Sequence, residues 1–155
     1  TIPEINFPIT SDEFFELIKD HNIKYDIIFI DGLHHAEQVD KDIENALNHL
    51  VDNGIIVMHD CNPEKEEYTS VPRVTGIWHG DVYKSALRLR QKYPYKFITV
   101  EDDCGCGIIF NGIEEDNKCN NNNLQQGLES WEYFSKNRVK LLNLMSADEF
   151  KTTYQ

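Results

Sequence analysis

Asp31 and His34 follow one apolar run, "YDIIFI" (residues 25–30), and His59 and Asp60 close another, "GIIVM" (residues 54–58). Two carboxylates at the ends of neighbouring strands would converge on one hard cation. Magnesium and calcium prefer such oxygen ligands, with water completing the shell. Imidazoles from His34 and His59 would move the preference toward manganese, iron or zinc. Either histidine can instead serve as a general base, because its reference pKa lies near neutrality. The candidate metal ligands are therefore Asp31 and Asp60, and the candidate catalytic groups are His34, His59 and Asp60. Each aspartate alone has a structural explanation: Asp31 as a loose cap on the next helix, Asp60 as the organiser of a turn. Both at strand ends, each with a histidine at hand, favour a functional site. His35 reads as solvated, His21 and His49 as surface groups near helix ends, and His79 as a loop residue that could join the cluster.

These residues need a scaffold that brings two strand ends together. "YDIIFID" is continuously apolar, as expected of a strand buried on both faces of a parallel sheet. From Ala36 the period changes, and Val39, Ile43, Ala46, Leu47 and Leu50 fall on one helical face. Asp52, Asn53 and Gly54 are expected to end that helix, with Gly54 in a left-handed position. "IIVMHD" follows as a second strand, so strand, helix and strand form a right-handed crossover unit. Upstream, Ile5–Thr10 reads as a short strand, and Thr10 with Glu13 as a capping box for a helix carrying Phe14, Phe15, Leu17 and Ile18. Downstream, Asp81 is placed to cap a helix through Val82, Tyr83, Ala86, Leu87 and Leu89. "KFITVE" and "CGIIFN" read as two more strands joined at Asp102, Asp103 and Gly105.

The expected organisation is an α/β body over residues 1–111, an asparagine-rich linker over 112–127 and a helical tail over 128–155. In that tail Trp131, Phe134, Val139, Leu142 and Met145 would cover a sheet face or a partner. Ligands of open α/β sheets sit beyond the carboxyl ends of the strands, which is where Asp31, His34, His59 and Asp60 lie.

Bulk properties narrow the function. The 155 residues suffice for one domain, and a formal charge of −12 argues against nucleic acid and against an anionic membrane surface. The first residues, "TIPEINFPITSDEFF", lack the basic start and apolar core of a signal peptide, so the cytosol is the expected compartment. Cys61, Cys104, Cys106 and Cys119 do not form paired C-x-x-C zinc knuckles and read as small buried residues. G-x-S-x-G, G-x-x-x-x-G-K-[ST] and G-x-G-x-x-G are all absent from the sequence.

Together, "YDIIFIDGLHHAEQVDKDIENAL", "GIIVMHDCNP", "WHGDVYKSALRLR", "CGCGIIF" and the tail "KNRVKLLNL" resemble the class I S-adenosylmethionine-dependent methyltransferases, in the branch described as methyltransferase domain family 24. The resemblance implies a Rossmann-like sheet, mostly parallel with a C-terminal antiparallel hairpin, in the order 3-2-1-4-5-7-6. Tyr25–Asp31 would be the family's fourth strand, Ile55–Asp60 its fifth, Lys96–Glu101 and Gly107–Asn111 its sixth and seventh, and Ile5–Thr10 its third. The N-terminal strands, with their glycine-rich turn and ribose-binding acid, have no counterpart, so the chain is expected to be a truncated and inactive piece of an O-methyltransferase. The resemblance further implies S-adenosylmethionine as cofactor, Asp31 and Gly32 as cofactor contacts, and a small-molecule or sugar hydroxyl as acceptor. In related metal-dependent enzymes, acids after the fourth and fifth strands hold magnesium. Asp31 and Asp60 match those places, while Cys61 stands where a second oxygen ligand is common. An unpaired fourth-strand edge would favour a homo-oligomer, formed through that edge or through the tail. The rival expectation is a non-catalytic α/β interaction module without a cofactor half.

Overall fold

The computed structural model describes residues 7–92, 96–111 and 121–154. Among these residues five strands form one sheet: β1 (Tyr25–Ile30), β2 (Leu50–Met58), β3 (Lys96–Val100), β4 (Cys106–Phe110) and the short β5 (Leu144–Met145). Their order is β1-β2-β4-β3-β5. β1 runs parallel to β2 and β3 parallel to β5, while β4 is antiparallel to both β2 and β3. This α/β arrangement, with one reversed strand from a tight hairpin, is Rossmann-like. Among the described residues six α-helices pack around it: α1 (Ser11–Ile18), α2 (Ala36–Asn48), α3 (Val82–Lys92), α4 (Asn121–Glu129), α5 (Trp131–Leu142) and α6 (Ala147–Tyr154). No helix among the described residues is long and apolar enough to cross a membrane.

Pairing register shows why the strands are apolar. Ile28, Ile56, Ile109 and Phe97 form one cross-strand row, and Phe29, Val57, Ile108 and Ile98 form the adjacent row on the opposite face. The first face lies under α2, α3, α4 and α5, in a core that includes Ile43, Ile56, Leu87, Leu124, Phe134 and Leu142. On the second face Ile98, Val100 and Ile108 are covered by Phe150 and Tyr154 of α6. That cover stops short of β1: Ile27 is 62% and Phe29 60% exposed.

Several local expectations hold. Thr10 and Glu13 close a capping box on α1, and the apolar stripe Val39, Ile43 and Ala46 of α2 is buried. Others are corrected. Residues 7–10 are not a strand, and Ile5 and Asn6 lie outside the described residues. Asp52, Asn53 and Gly54 do not terminate α2, which ends at Asn48. They lie inside β2 as an irregular stretch, where the partner of Tyr25 is Leu50 but that of Ile27 is Ile55. Asn53 takes the left-handed conformation expected of Gly54, with φ 63°. The side chain of Asp81 caps a different helix from the one expected: its Oδ1 accepts from the first amide of α2, at Ala36, at 2.8 Å. That amide has no partner within its own helix.

The asparagine-rich segment is helical over α4, which buries Leu124; residues 112–120 of the expected linker lie outside the described residues. In the tail, Phe134 and Leu142 enter the main core, whereas Val139 points outward and is exposed. His49 is buried rather than superficial; its Nδ1 lies 3.0 Å from the Ile23 carbonyl and its ring stacks on Phe15.

Candidate active site

The crossover places the ends of β1 and β2 side by side, and the His59 amide donates to the Ile30 carbonyl at 3.1 Å. Asp60 follows with φ 61°, a left-handed conformation that costs a non-glycine residue free energy and clusters at functional sites. The turn drives its carboxylate inward, where it is 4% exposed. A buried carboxylate needs hydrogen bonds or opposite charge, and three imidazoles converge on it. His79 Nδ1 lies 2.5 Å from Asp60 Oδ1, His34 Nδ1 3.1 Å from Oδ2, and His59 Nδ1 3.5 Å from Oδ1. Asp31 joins from the end of β1: its Oδ1 is 3.3 Å from His59 Nδ1 and 3.5 Å from His34 Nε2. His34 and His59 therefore each bridge the two carboxylates.

The four residues singled out by sequence spacing thus meet in one cluster, and Gly32 adjoins it. A side chain at Gly32 would meet nothing within 4 Å, so no close backbone approach explains this glycine. Asp31, Gly32 and Leu33 instead line a cavity of about 600 Å³ between α1, α2 and β1, with Phe14, Phe15 and Gln38 on its walls.

The loop before α3 completes the cluster. Gly80, at φ +58°, sits so close to the His34 carbonyl that an added Cβ would lie 1.7 Å from its oxygen. That approach requires glycine, and it brings the neighbouring His79 onto Asp60. Trp78 stacks on His34 with ring centroids 5.0 Å apart and meets His35 edge-on, so His35 is half-buried rather than solvated. From the other side comes the β3–β4 turn, where Asp103, Cys104 and Gly105 all have positive φ. Asn62 and Cys61 amides donate to the Cys104 and Gly105 carbonyls at 2.8 and 2.9 Å. Asp103 Oδ2 thereby lies 3.4 Å from His59 Nε2, a buried nitrogen without a hydrogen-bond partner. Arg138 of α5 braces the loop after β2, donating to Asn62 Oδ1 at 2.9 Å and the Pro63 carbonyl at 2.7 Å.

The electrostatics follow from this crowding. Burial pulls the His59 pKa down, but Asp60, Asp31 and Asp103 together outweigh it, and the net direction is up. Burial raises the Cys61 thiol far above its ordinary value. Cys61 turns into the core, with Sγ 3.5 Å from the Met58 carbonyl, so it does not stand in for a second oxygen ligand. Cys104 is also raised, by burial first and then by Asp60, Asp103 and Glu64.

Magnesium fits this donor set poorly. It demands oxygen ligands and retained water, and here Asp60 is wrapped by imidazole. A divalent ion that accepts nitrogen, such as manganese, iron or zinc, suits Asp31, His34 and Asp60, whose ligand atoms lie within 4.8 Å of one another.

Spacing alone did not reveal the roles of Trp78, Asp103, Cys104 and Arg138, and it left His79 at the margin. The usable signal was the glycine that follows four of them, in "WHG" and "DDCG", which marks backbone in tight approach.

Residues 4–61 match a family model described as a methyltransferase domain. No curated protein matches the chain. The matched segment runs from before α1 through β2 to Cys61 and contains Asp31, His34, His59 and Asp60. Over that segment the chain is similar to a methyltransferase domain, and the Rossmann-like sheet agrees with that likeness.

Proposed function

We propose that this domain serves methyl transfer from S-adenosylmethionine to a hydroxyl of a small molecule or sugar, at the cluster formed by Asp31, His34, His59 and Asp60. The observation that carries the reading is the convergence of these four side chains where two parallel strands end, beside the cavity at Asp31 and Gly32. That cavity has the size of a small-molecule site and is the proposed seat of the cofactor. The cofactor supplies an electrophilic methyl group on a sulfonium. Asp31, His34 and Asp60 would hold a divalent cation, which polarises an acceptor hydroxyl. His34 is fixed by Trp78 and by both carboxylates, so it positions. His59 lies between Asp31 and Asp60, and its Nδ1, which faces both carboxylates, takes the acceptor proton. Much of the rate would come from alignment of the acceptor.

The test is S-adenosylhomocysteine binding by calorimetry and thermal shift, with Asp60→Asn alongside. Binding is expected for both proteins, and methyl transfer to hydroxyl acceptors only for the unmodified one. Turnover that survives Asp60→Asn would overturn the site assignment. The bare apolar surface at Ile27 and Phe29 leaves the cavity side of β1 uncovered. On that ground we expect the 155-residue chain alone to turn over poorly. The same surface favours a second reading, a non-catalytic interaction module, which absence of S-adenosylhomocysteine binding would support.

A further inference from the structure

Asp60 presents its two carboxylate oxygens to different neighbours. Oδ2 faces His34 and, through it, Asp31, the set assigned above. Oδ1 faces His79, which is 5% exposed. On that second side stands Cys104, and ligand atoms of Asp60, His79 and Cys104 all lie within 4.8 Å of one another. The three come from three separate segments: the end of β2, the loop before α3 and the β3–β4 turn. Thiolate, imidazole and carboxylate together are the ligand types of zinc, and three protein ligands with an open position are the pattern of a reactive zinc site.

A dication bound there would deprotonate the Cys104 thiol, whose proton would pass to solvent. His59 Nε2 is buried at the same edge of the cluster without a hydrogen-bond partner.

We propose that Asp60, His79 and Cys104 form a binding site for a zinc-class divalent cation, adjoining the Asp31–His34–Asp60 set through the shared Asp60 carboxylate. The inference extends the reading of the methyltransferase site but does not depend on methyl transfer. A cation there would neutralise the buried carboxylate and tie the β3–β4 turn to the loop that carries His79 and Trp78.

The experiment is titration of the chelator-treated full chain with cobalt(II), followed by competition with zinc. A thiolate-to-cobalt charge-transfer band in the near ultraviolet is expected. Cys104→Ser should abolish that band and Cys106→Ser should retain it, while circular dichroism confirms that both variants fold. His79→Gln should weaken zinc binding on the order of 10-fold or more. Cobalt binding without a thiolate band, or a band that survives Cys104→Ser, overturns the site. If binding without the band is then lost in Asp31→Asn, the metal occupies the Asp31–His34–Asp60 set instead. S-adenosylhomocysteine binding, read separately, reports on the methyltransferase reading whichever way the cobalt result falls.

Discussion

One face of the sheet has two halves that begin alike and end differently. The row Phe29, Val57, Ile108 and Ile98 crosses all four long strands. At the β3 end, Ile98 is fully buried beneath α6, and Phe110 stacks on Tyr154 with centroids 5.1 Å apart. At the β1 end, Phe29 and Ile27 face outward uncovered, and β1 has no partner on its far side among the described residues. Both ends have the apolar composition of interior strands. The difference teaches that composition reports what a strand is suited to, while burial depends on what the rest of the chain lays over it.

The largest expected contrast is between the two ends of this face. Ile98→Ala, which opens a cavity in close-packed surroundings, should cost about 2–5 kcal/mol in denaturant unfolding. Ile27→Ala, at a solvated position, should stay within about 0.5 kcal/mol. Equal losses would mean that β1 is covered in solution. The next test concerns the hinge that turns α5 into β5. Asn143 holds a left-handed conformation at φ 51°, and its side chain donates to the Phe97 carbonyl at 3.1 Å. Asn143→Ala should lose about 1–3 kcal/mol through backbone strain and the missing bond, and a silent substitution would show that β5 does not anchor α6. On the bare side, Thr10→Ala removes the α1 capping box and should cost about 1 kcal/mol. A loss seen in local hydrogen exchange of α1 but not in global unfolding would mark the bare half as a separate cooperative unit. The smallest effect on stability belongs to Phe29→Lys, expected within about 0.5 kcal/mol. An open apolar edge invites pairing with a second copy, so this substitution should lower concentration-dependent self-association in sedimentation velocity. Unchanged association would assign any oligomer to another surface.

Much of the scaffold could be read from residue order. The continuous apolar runs of β1 and β2, the stripe of α2 and the hairpin β3–β4 follow from side-chain periodicity, which is local. The capping box of Thr10 and Glu13 was legible for the same reason. The end of α2 was misread because Asp52, Asn53 and Gly54 suit a helix stop and a strand irregularity equally well, and pairing with β1 decided between them. α4 was missed because its asparagines are weak helix formers; burial of Leu124 against the core supplies what propensity lacks.

What the sequence by itself determined is the chemistry at the two strand ends: Asp31, His34, His59 and Asp60 must approach one another once β1 and β2 pair in parallel. Only the tertiary structure decided that His79 closes on Asp60, that Trp78 stacks on His34, and that Cys104 and Asp103 arrive from the β3–β4 turn. It also decided which carboxylate is buried, since Asp60 is enclosed while Asp31 stays exposed. The physical reason is separation along the chain. Strand pairing is specified by patterns a few residues long. The close approach of Gly80 to His34 and of Gly105 to Asn62 depends instead on how distant segments fill the same space.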